Sequence, residues 1–291
     1  MPPRASVIVP HYNDLDGLDR CLAALSRQTL PRDDYEIVVA DNDSPVPAAE
    51  LKRVIADRAR LVTAYERGAG PARNTGVQAS EAPLLAFTDA DCIPEPDWLE
   101  AGLRGLDRLD VVGGRVRVAT TPGRELTGAE GFELVFAFDN RAYVETKGFT
   151  VTANMFCRRA TFDTVGAFRN GVPEDADWGH RAVRHGFSIG YVAEACVWHP
   201  ARADWTQLQR KWERLNREAY AATEGRKWRL LNWRLRALAL PASVLFHAPR
   251  VLGHDALPDW RARMVTLAAL ARIRLWRMKH ALQLASDGAV A

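Results

Sequence analysis

Two aspartates separated by a single residue, Asp89 and Asp91, directly follow the apolar run Leu84–Thr88. Such a run is typical of a buried strand, and side chains two residues apart point to the same side of an extended chain. The two carboxylates could therefore hold one hard divalent cation, or divide between a cation and a sugar hydroxyl. Acidic pairs in turns are usually solvated or cap helices, so the position at the carboxyl end of a strand is what favours a ligand site.

A second polar turn, residues 41–44, follows the apolar run at residues 35–40. A turn rich in Asp and Asn that leads into the next helix explains these residue types. Alternatively, Asp41 accepts a hydrogen bond from a nucleobase imide or a ribose hydroxyl, because a carboxylate accepts hydrogen bonds and cannot donate them. The residue types alone leave both interpretations open.

A glycine-rich segment, residues 68–76, is typical of the start of a helix, where free N–H groups and the helix dipole favour anions. The segment matches neither the GxxxxGK[ST] phosphate loop nor the G-x-G-x-x-G dinucleotide motif. Arg73 within it could pair with a phosphate, or tie the helix to a neighbouring carboxylate.

Glu174 and Asp175 begin a predicted helix directly after Pro173. Acidic residues in a first helical turn ordinarily interact with the helix dipole alone. A carboxylate in that position that faces a cleft is also a well-held general base. His199 could supply a nitrogen ligand to the same cation as Asp91, although a lone His is more often structural.

The elements that position these residues alternate between strand and helix over the first hundred residues. Short apolar or β-branched runs predict strands at residues 6–10, 35–40, 61–65 and 84–88. Apolar residues spaced three or four apart, or a helix-start signal, predict helices at residues 15–25, 48–59 and 71–80. This alternation indicates a mainly parallel sheet with helices on both faces, in which ligands bind beyond the carboxyl ends of the strands.

The pattern is less regular after residue 106. It predicts strands at residues 111–119, 152–157 and 188–193, helices at residues 162–165 and 175–185, and a last apolar piece that ends at His199. From residue 204 the chain is helical and basic, with interruptions at Pro241, Pro249 and Pro258. We therefore predict one domain at residues 1–203 and a helical C-terminal region at residues 204–291.

The charge of the chain is divided in the same way. Residues 1–200 contain 22 Lys and Arg against 29 Asp and Glu, whereas residues 201–291 contain 17 against 7. Interleaved aromatic, aliphatic and Arg residues in the basic region suit an anionic membrane surface at least as well as nucleic acid. Its longest uncharged run has 13 residues, and about 20 are needed to cross a bilayer. The region is expected to lie on a membrane without spanning it, or to cover the catalytic domain or a second subunit.

The composition excludes several classes of protein. With 47% hydrophobic and 26% charged residues, the chain is typical of a globular protein rather than a disordered or fibrous one. Four cysteines without a CxxC pair exclude a disulfide-rich scaffold and a cysteine-rich zinc module. No apolar stretch of signal-peptide length precedes the first predicted strand. We therefore expect a cytoplasmic protein, at the inner face of the membrane if the basic region binds lipid.

Seven segments, taken in order, resemble the serial motifs of family 2 glycosyltransferases, which have the GT-A fold. They are SVIVPHYN, VVADNDS, GAGPARNTG, FTDADCIP, TANMFCRRATFDTVGAF, EDADWGHRAVRHGF and VWHP, which together span about residues 5–200. The resemblance implies an α/β protein with a GT-A sheet flanked by helices, followed here by a basic helical appendage. It also implies a nucleotide-diphosphate sugar bound across the first half of the sheet.

The resemblance assigns a role to each matching residue of the motifs. Pro10 and Tyr12 would contact the base, Asp41 would hold it, and Arg73 would line the nucleotide pocket. Asp89 would approach the ribose or donor sugar, and Asn154 would lie near the transferred sugar. Asp91 would ligate Mn²⁺ or Mg²⁺ with His199 as a further ligand, and Asp175 would be the catalytic base beside Glu174.

The expected reaction is an inverting, metal-dependent transfer of one sugar from a nucleotide-diphosphate donor, a UDP-sugar in the favoured case, to a hydroxyl on a glycan or lipid-linked acceptor. No nucleic-acid partner is expected. The chain departs from the family in two places. Residues 207–212 (QLQRKW) only approximate the Q-x-x-R-W element of processive synthases, and residues 167–170 (AFRN) replace the usual Gly-Phe-Asp-Glu. The first departure favours single transfer over polymerisation, and the second leaves acceptor recognition open.

Two other functions compete with this one. A sugar-nucleotide pyrophosphorylase would need a glycine-rich, basic phosphate loop after the first strand, and the segment HYNDLDG offers none. A non-catalytic module that binds a sugar nucleotide and docks partners through its basic region is the stronger alternative. The presence of both acidic motifs argues against such a module.

Overall fold

A computed structural model describes residues 2–121, 123–225 and 227–287 of the chain. The chain divides into two compact units. The first comprises Met1–Arg117 and Asp139–His199, and the second comprises Val118–Phe138 and Pro200–Ala291. The sequence pattern predicts a single boundary after residue 203, whereas the structure also assigns the segment Val118–Phe138 to the second unit.

Strands and helices alternate from Ala5 to Thr88, as the sequence pattern predicts for the first hundred residues. The strands of the described residues are β1 (Ala5–His11), β2 (Tyr35–Asp41), β3 (Arg60–Thr63), β4 (Leu84–Thr88), β5 (Ile93–Pro94), β6 (Val111–Ala119), β7 (Asn154–Arg158) and β8 (Ile189–Pro200). The helices are α1 (Leu15–Leu25), α2 (Ala48–Ile55), α3 (Ala69–Gln78), α4 (Trp98–Gly105), α5 (Gly128–Phe136), α6 (Asn140–Lys147), α7 (Arg159–Val165), α8 (Glu174–Arg184), α9 (Trp205–Ala221), α10 (Arg229–Ala239), α11 (Ser243–Leu252) and α12 (Trp260–Asp287).

The strands form one sheet in the order β3-β2-β1-β4-β7-β6-β8-β5. β1 pairs in parallel with β2 and β4, and β2 pairs in parallel with β3. β7 is antiparallel to both β4 and β6, and β5 is antiparallel to β8. The α/β class is therefore confirmed, with a parallel half made by the first four strands and antiparallel pairs beyond it.

The central strands are apolar runs because helices cover both faces of the sheet. Val7, Ile8 and Val9 are all fully buried in β1, as are Val38 and Val39 in β2. Branched side chains pack well on such a surface and disfavour a helix at the same positions. The polar residues that follow each run then lie together at the carboxyl edge of the sheet.

Several element boundaries agree with the sequence pattern and others differ. α1, β4 and β6 have the bounds that the pattern predicts. α2 ends at Ile55 rather than at residue 59, because Ala56 adopts a positive φ of 48° that ends the helix. Pro249 lies inside α11 instead of interrupting it. The two apolar pieces predicted between residues 188 and 199 form the single strand β8.

α5 is a helix that the sequence pattern does not predict, because glycines at positions 128 and 131 lower its helix propensity. Both glycines face α12 at a distance too short for a side chain, so they allow the two helices to approach closely. Thr127 and Glu130 form a capping box at the start of α5. The helix therefore gains its stability from packing within the second unit rather than from intrinsic propensity.

A buried carboxylate in the second unit is neutralised by two cations. Glu133 on α5 is 1% exposed, and its carboxylate accepts hydrogen bonds from Arg202 at 2.6 Å and from Lys211 at 2.9 Å. Burial raises the pKa of Glu133, but the two cations outweigh it and lower the pKa below the usual value. Lys211, in the segment that approximates Q-x-x-R-W, thus has a structural partner inside the second unit.

An aromatic cluster fixes the start of α8 against β4, the strand that the acidic pair follows. Phe87 on β4 makes an edge contact with Phe168, with 5.5 Å between ring centroids. Trp178 on α8 packs on Phe162 and Phe168 at 5.9 and 5.8 Å. Trp178 lies one helical turn after Asp175, so the cluster determines where that carboxylate lies relative to the end of β4.

Close packing of α3 on β1 positions Arg73. A Cβ atom at Gly76 would lie 2.6 Å from Cγ2 of the fully buried Ile8. Only a residue without a side chain allows the helix to lie this near the strand. Arg73 is three residues earlier on the same helix, so its position depends on this contact.

We expect Gly76→Ala to lower the free energy of unfolding by about 1–2 kcal/mol. Overpacking costs about 1–3 kcal/mol, and a contact of 2.6 Å with a fully buried side chain lies in the upper part of that range, about 2–3 kcal/mol. The better helix propensity of Ala offsets about 1 kcal/mol of it. Urea denaturation measures the difference. Gly253→Ala serves as a control because the nearest atom to its Cβ lies 3.4 Å away, and it should change stability by less than about 0.5 kcal/mol. Equal stability of Gly76→Ala and the wild type would contradict the proposed constraint on α3.

Candidate active site

One guanidinium joins the two acidic motifs that the sequence pattern singles out. Arg73 is 3% exposed, and its Nη2 donates to Asp89 Oδ1 at 2.5 Å. Its Nη1 donates to Glu174 Oε1 at 3.2 Å. The turn after β4 and the first residue of α8, which are far apart in the sequence, therefore meet at Arg73. Arg73 therefore ties α3 to neighbouring carboxylates, while its place in a nucleotide pocket stays a prediction.

The charge of Arg73 is stabilised by these neighbours. Burial alone would lower the pKa of the guanidinium, because removal from water disfavours the charged form. The negative charges of Asp89 and Glu174 outweigh burial and raise the pKa above its ordinary value. A buried charge of this kind is stable only with such partners, since an unpaired one is strongly destabilising.

Asp175 follows Glu174 on the same first turn of α8 and is partly buried. Its Oδ1 accepts a hydrogen bond from the Ala176 N–H at 2.8 Å. Burial and the neighbouring charge of Glu174 raise the pKa of Asp175 to about 6, while the Ala176 N–H and the charge of Arg73 act in the opposite direction. Asp175 is therefore ionised at neutral pH but is a stronger base than an ordinary aspartate.

The second aspartate of the acidic pair lies beside His199. His199 Nε2 and Asp91 Oδ2 are 3.5 Å apart, and the imidazole is mostly buried. The antiparallel pairing of Ile93 with Trp198 places the end of β8 beside the turn that contains Asp91. The structure thus brings together the two residues that the sequence analysis assigns to one cation.

The donor atoms around this turn are suited to a hard divalent cation. Carboxylate oxygens of Asp89 and Asp91 and the sulfur of Cys92 lie within 4.8 Å of one another. Burial, followed by the charges of the two aspartates, raises the pKa of the Cys92 thiol well above its ordinary value, so the sulfur stays protonated. A protonated thiol is a poor metal ligand. The carboxylates and the imidazole remain, a donor set that fits Mn²⁺ and, through its oxygens, Mg²⁺.

Asp41 at the end of β2 is held by its neighbours and is 6% exposed. His11 Nδ1 lies 2.7 Å from Asp41 Oδ1, and the backbone N–H of Asp14 donates to His11 Nε2. These contacts assign the proton to Nδ1, which donates to the carboxylate. The hydroxyl and the N–H of Ser44 also donate to Asp41, at 2.6 and 3.0 Å. The carboxylate is thus fixed in one orientation at the sheet edge.

Tyr12 is the most accessible of the residues assigned to the nucleobase, with 49% of its surface exposed. Arg67 approaches it from the loop before α3, and its Nη1 donates to the Tyr12 hydroxyl at 3.1 Å. Pro10 lies two residues before Tyr12, in β1, where it pairs with Ala40 of β2. The proposed contacts of both residues with a base stay predictions.

Asn154 begins β7, opposite Thr88, and has no exposed surface. Its Oδ1 accepts from the indole N–H of Trp98 at 2.9 Å. Its Nδ2 donates to the carbonyls of Arg115 and Ala195 at 2.8 and 2.9 Å. These bonds join three parts of the first unit, while proximity of Asn154 to a transferred sugar stays a prediction.

Two asparagines outside the predicted site hold its loops together. Asn74 exchanges two hydrogen bonds with the backbone of Phe168, at 2.8 and 2.9 Å. Asn170 donates to Glu66 Oε1 at 3.0 Å and to the Arg67 carbonyl at 2.9 Å. Asn170 lies where the family usually has an acidic residue, so this departure from the family pattern was the available signal. His11 also lies within the motif SVIVPHYN, but the resemblance assigns roles only to Pro10 and Tyr12 there.

The family model for glycosyl transferase family 2 matches residues 6–166, more than half of the chain. A curated relative, the glycosyltransferase AglE of Haloferax volcanii, is 32% identical over 208 residues, which cover 69% of this chain and 68% of that protein. The chain belongs to glycosyltransferase family 2, and it is a glycosyltransferase.

Solved structures with the GT-A fold match most of the chain. The mannosyltransferase PcManGT from Pyrobaculum calidifontis, in complex with GDP-Man and Mn²⁺, has a TM-score of 0.59 at 20% identity and covers 95% of this chain and 88% of its own. S. aureus TarS 1-349 in complex with UDP-GlcNAc has a TM-score of 0.52 at 17% identity, with 91% and 79% covered. These matches confirm the GT-A fold.

Among the described residues, no helix has both the length and the apolar character that crossing a bilayer requires.

The raised pKa of Asp175 predicts that Asp175→Asn stabilises the fold above pH 6. The pKa of Asp175 is about 6 in the folded protein, whereas the ordinary pKa of an aspartate is 3.8. Between about pH 4 and pH 6 the folded protein therefore holds a proton that the unfolded chain has lost, and the fold loses stability as the pH rises through this range. We expect Asp175→Asn to raise the free energy of unfolding by about 2 kcal/mol at pH 7.5, somewhat less than the full shift because the side chain keeps some solvent contact.

Urea denaturation in EDTA at pH 4 and pH 7.5 measures this effect. At pH 4 the two proteins should differ by much less, because Asp175 is then protonated in the folded wild type. The exposed Asp107→Asn serves as a control that should show no such dependence on pH. A constant difference between Asp175→Asn and the wild type at both pH values would contradict the raised pKa.

Proposed function

We propose that the protein transfers one sugar from a nucleotide-diphosphate donor to a hydroxyl acceptor, with inversion at the anomeric carbon and with a divalent cation. The observation that carries this proposal is the bridge made by Arg73 between Asp89 and Glu174. Through this bridge the turn after β4 and the first turn of α8 share one buried charge, which supports a common role for the two acidic motifs. Two acidic motifs with unrelated structural roles would not need to share one buried guanidinium.

Asp91 and His199 would hold the divalent cation, with Asp89 beside them. A bound Mn²⁺ or Mg²⁺ stabilises the negative charge that develops on the leaving diphosphate. The chain's own contribution is to hold both carboxylates in place. The hydrogen bond from Arg73 fixes Asp89, and His199 lies against Asp91.

Asp175 is the proposed general base. An acceptor hydroxyl is a poor nucleophile near neutral pH, so its proton must be removed as the new bond forms. A carboxylate with a pKa of about 6 is ionised at pH 7 and accepts a proton more readily than an ordinary aspartate. Attack from the side opposite the leaving diphosphate then inverts the anomeric centre.

The donor is proposed to be a nucleoside diphosphate sugar, with a UDP-sugar favoured. Structures similar to this one hold GDP-Man in one case and UDP-GlcNAc in another, so the fold accommodates either base. The fixed carboxylate of Asp41 and the exposed ring of Tyr12 are the groups proposed to contact the base. The acceptor is proposed to be a glycan or a lipid-linked hydroxyl.

Removal of either proposed active-site carboxylate is expected to abolish turnover. Asp91→Asn and Asp175→Asn should each reduce donor hydrolysis, or transfer to an acceptor panel, by at least about 100-fold. As the pH is lowered, the wild-type rate should fall with a midpoint near pH 6, the pKa of Asp175. Asp107→Asn, an exposed carboxylate on the same unit, is the matched control and should retain the wild-type rate.

Full activity in both variants would refute the assignment. A wild type that binds nucleotide but turns over no donor with any acceptor of the panel would support the non-catalytic module instead.

Nucleoside diphosphates are expected to raise the melting temperature, and more so with Mn²⁺. Binding to the folded state alone stabilises it in proportion to the logarithm of ligand concentration over Kd. A thermal-shift screen of UDP, GDP, ADP and CDP with and without Mn²⁺ measures the effect and identifies the base. Asp91→Asn should lose the additional shift from Mn²⁺, whereas Asp175→Asn should keep it. An equal shift with Mn²⁺ and with EDTA would contradict the proposed cation site.

A further inference from the structure

Large exposed apolar side chains lie along α10 and near the start of α11 in the second unit. We call this set the α10–α11 face; it consists of Trp228, Leu231, Leu235, Leu238, Leu245 and Phe246. Phe246 is 86% exposed and Leu245 is 78% exposed. Single exposed apolar residues are ordinary, but a concentration of large ones in one short segment indicates an interaction surface.

The opposite side of α10 is already buried, so this surface is not a core face left open. Trp233 and Ala237 pack against Ala281 and Ala285 of α12, and the Trp233 indole donates to the Ala281 carbonyl at 2.7 Å. Leu231, Leu235 and Leu238 are spaced four and three residues apart, which places them on one stripe of the helix. α10 is therefore apolar on both sides, and within the part of the second unit that the structure describes only the side with Trp233 and Ala237 is buried.

The same segment has a one-sided charge. Residues 225–254 contain six Lys and Arg and no Asp or Glu. Lys227, Arg234 and Arg236 are exposed next to the apolar residues. A surface that combines large apolar side chains with cations alone is complementary to a surface that is apolar beneath a layer of negative charge.

Two occupants of the α10–α11 face can be compared on this basis. A second copy in a two-fold dimer would bring the exposed cations of one segment close to those of the other, with no acidic residue in the segment to offset them. An anionic bilayer offers negative headgroups to the cations and acyl chains to the leucines and aromatic rings. α10 has 11 residues and α11 has 10, whereas about 20 are needed to span a bilayer. Helices of this length lie in the interface, where Trp is also favoured.

We propose that the α10–α11 face docks the protein on an anionic lipid surface, with Leu245 and Phe246 inserted below the headgroups. This inference concerns the second unit and does not depend on the proposed reaction. Failure of the catalytic assignment would leave it intact, and failure of lipid binding would leave the catalytic assignment intact.

Vesicle flotation of the full chain tests the proposal with two lipid compositions. The probes are vesicles of phosphatidylcholine alone and vesicles with about 30% phosphatidylglycerol, whose negative headgroups attract polybasic segments. We expect at least about tenfold more protein to float with the anionic vesicles, and the binding to decrease at high salt because the Debye length shortens. Leu245→Gln/Phe246→Gln should reduce flotation by at least about tenfold, since burial of each side chain favours binding.

The chain offers a matched control on another helix. Met264 and Leu275 on α12 are 44% and 47% exposed but lie outside the α10–α11 face. Met264→Gln/Leu275→Gln should therefore float within about twofold of the wild type. Arg234→Glu/Arg236→Glu should remove the preference for anionic vesicles. Circular dichroism and the melting temperature establish that each variant is folded, which is expected because the changed residues are exposed.

Three results would overturn the proposal. The first is wild-type protein that does not float with anionic vesicles. The second is equal flotation of Leu245→Gln/Phe246→Gln and the wild type. The third is a wild-type dimer in light scattering that the same double variant dissociates in the absence of lipid, because a second copy would then occupy the α10–α11 face.

Discussion

The buried guanidinium of Arg73 is the constraint on which the active site depends. A charge that is 3% exposed is stable only with partners, and Asp89 and Glu174 supply them. Each bond fixes one carboxylate in place. Because the partners belong to the turn after β4 and to the first turn of α8, the same interaction that satisfies the buried charge also determines the width of the proposed cleft.

Counting formal charges explains why this site suits a cation. Asp89, Asp91, Glu174 and Asp175 carry four negative charges when ionised, and Arg73 offsets one of them. The excess has measurable effects on its surroundings: after burial, the charges of Asp91 and Asp89 raise the pKa of the Cys21 thiol. A divalent cation would neutralise most of the remaining charge. The excess of negative charge is therefore consistent with the proposed divalent cation.

The parallel half of the fold was predictable because its signals are local. The runs at β1, β2 and β4 show their burial directly, and the polar residues after each run had to meet at one edge of the sheet. The contacts between distant segments were not predictable in the same way. Nothing in the sequence near Asn74 indicates its bonds to Phe168, and nothing near Arg73 indicates that Glu174 is one of its partners. α5 was missed because its glycines, which favour close packing on α12, disfavour a helix by propensity.

The carboxylates of the site face opposite demands, and their hydrogen bonds account for how the chain meets them. Asp89 and Asp91 serve the proposed cation only when ionised, whereas a base works best with a pKa close to the working pH. The guanidinium donates to Asp89 and Glu174, while it lowers the pKa of Asp175 by its charge, an effect smaller than those of burial and Glu174. Glu174 therefore has two effects: it fixes Arg73, and its own negative charge keeps the proton affinity of its neighbour high. Asp175 has a pKa of about 6 because burial and the charge of Glu174 outweigh the Ala176 N–H and the charge of Arg73, whose guanidinium donates its hydrogen bonds to Asp89 and Glu174.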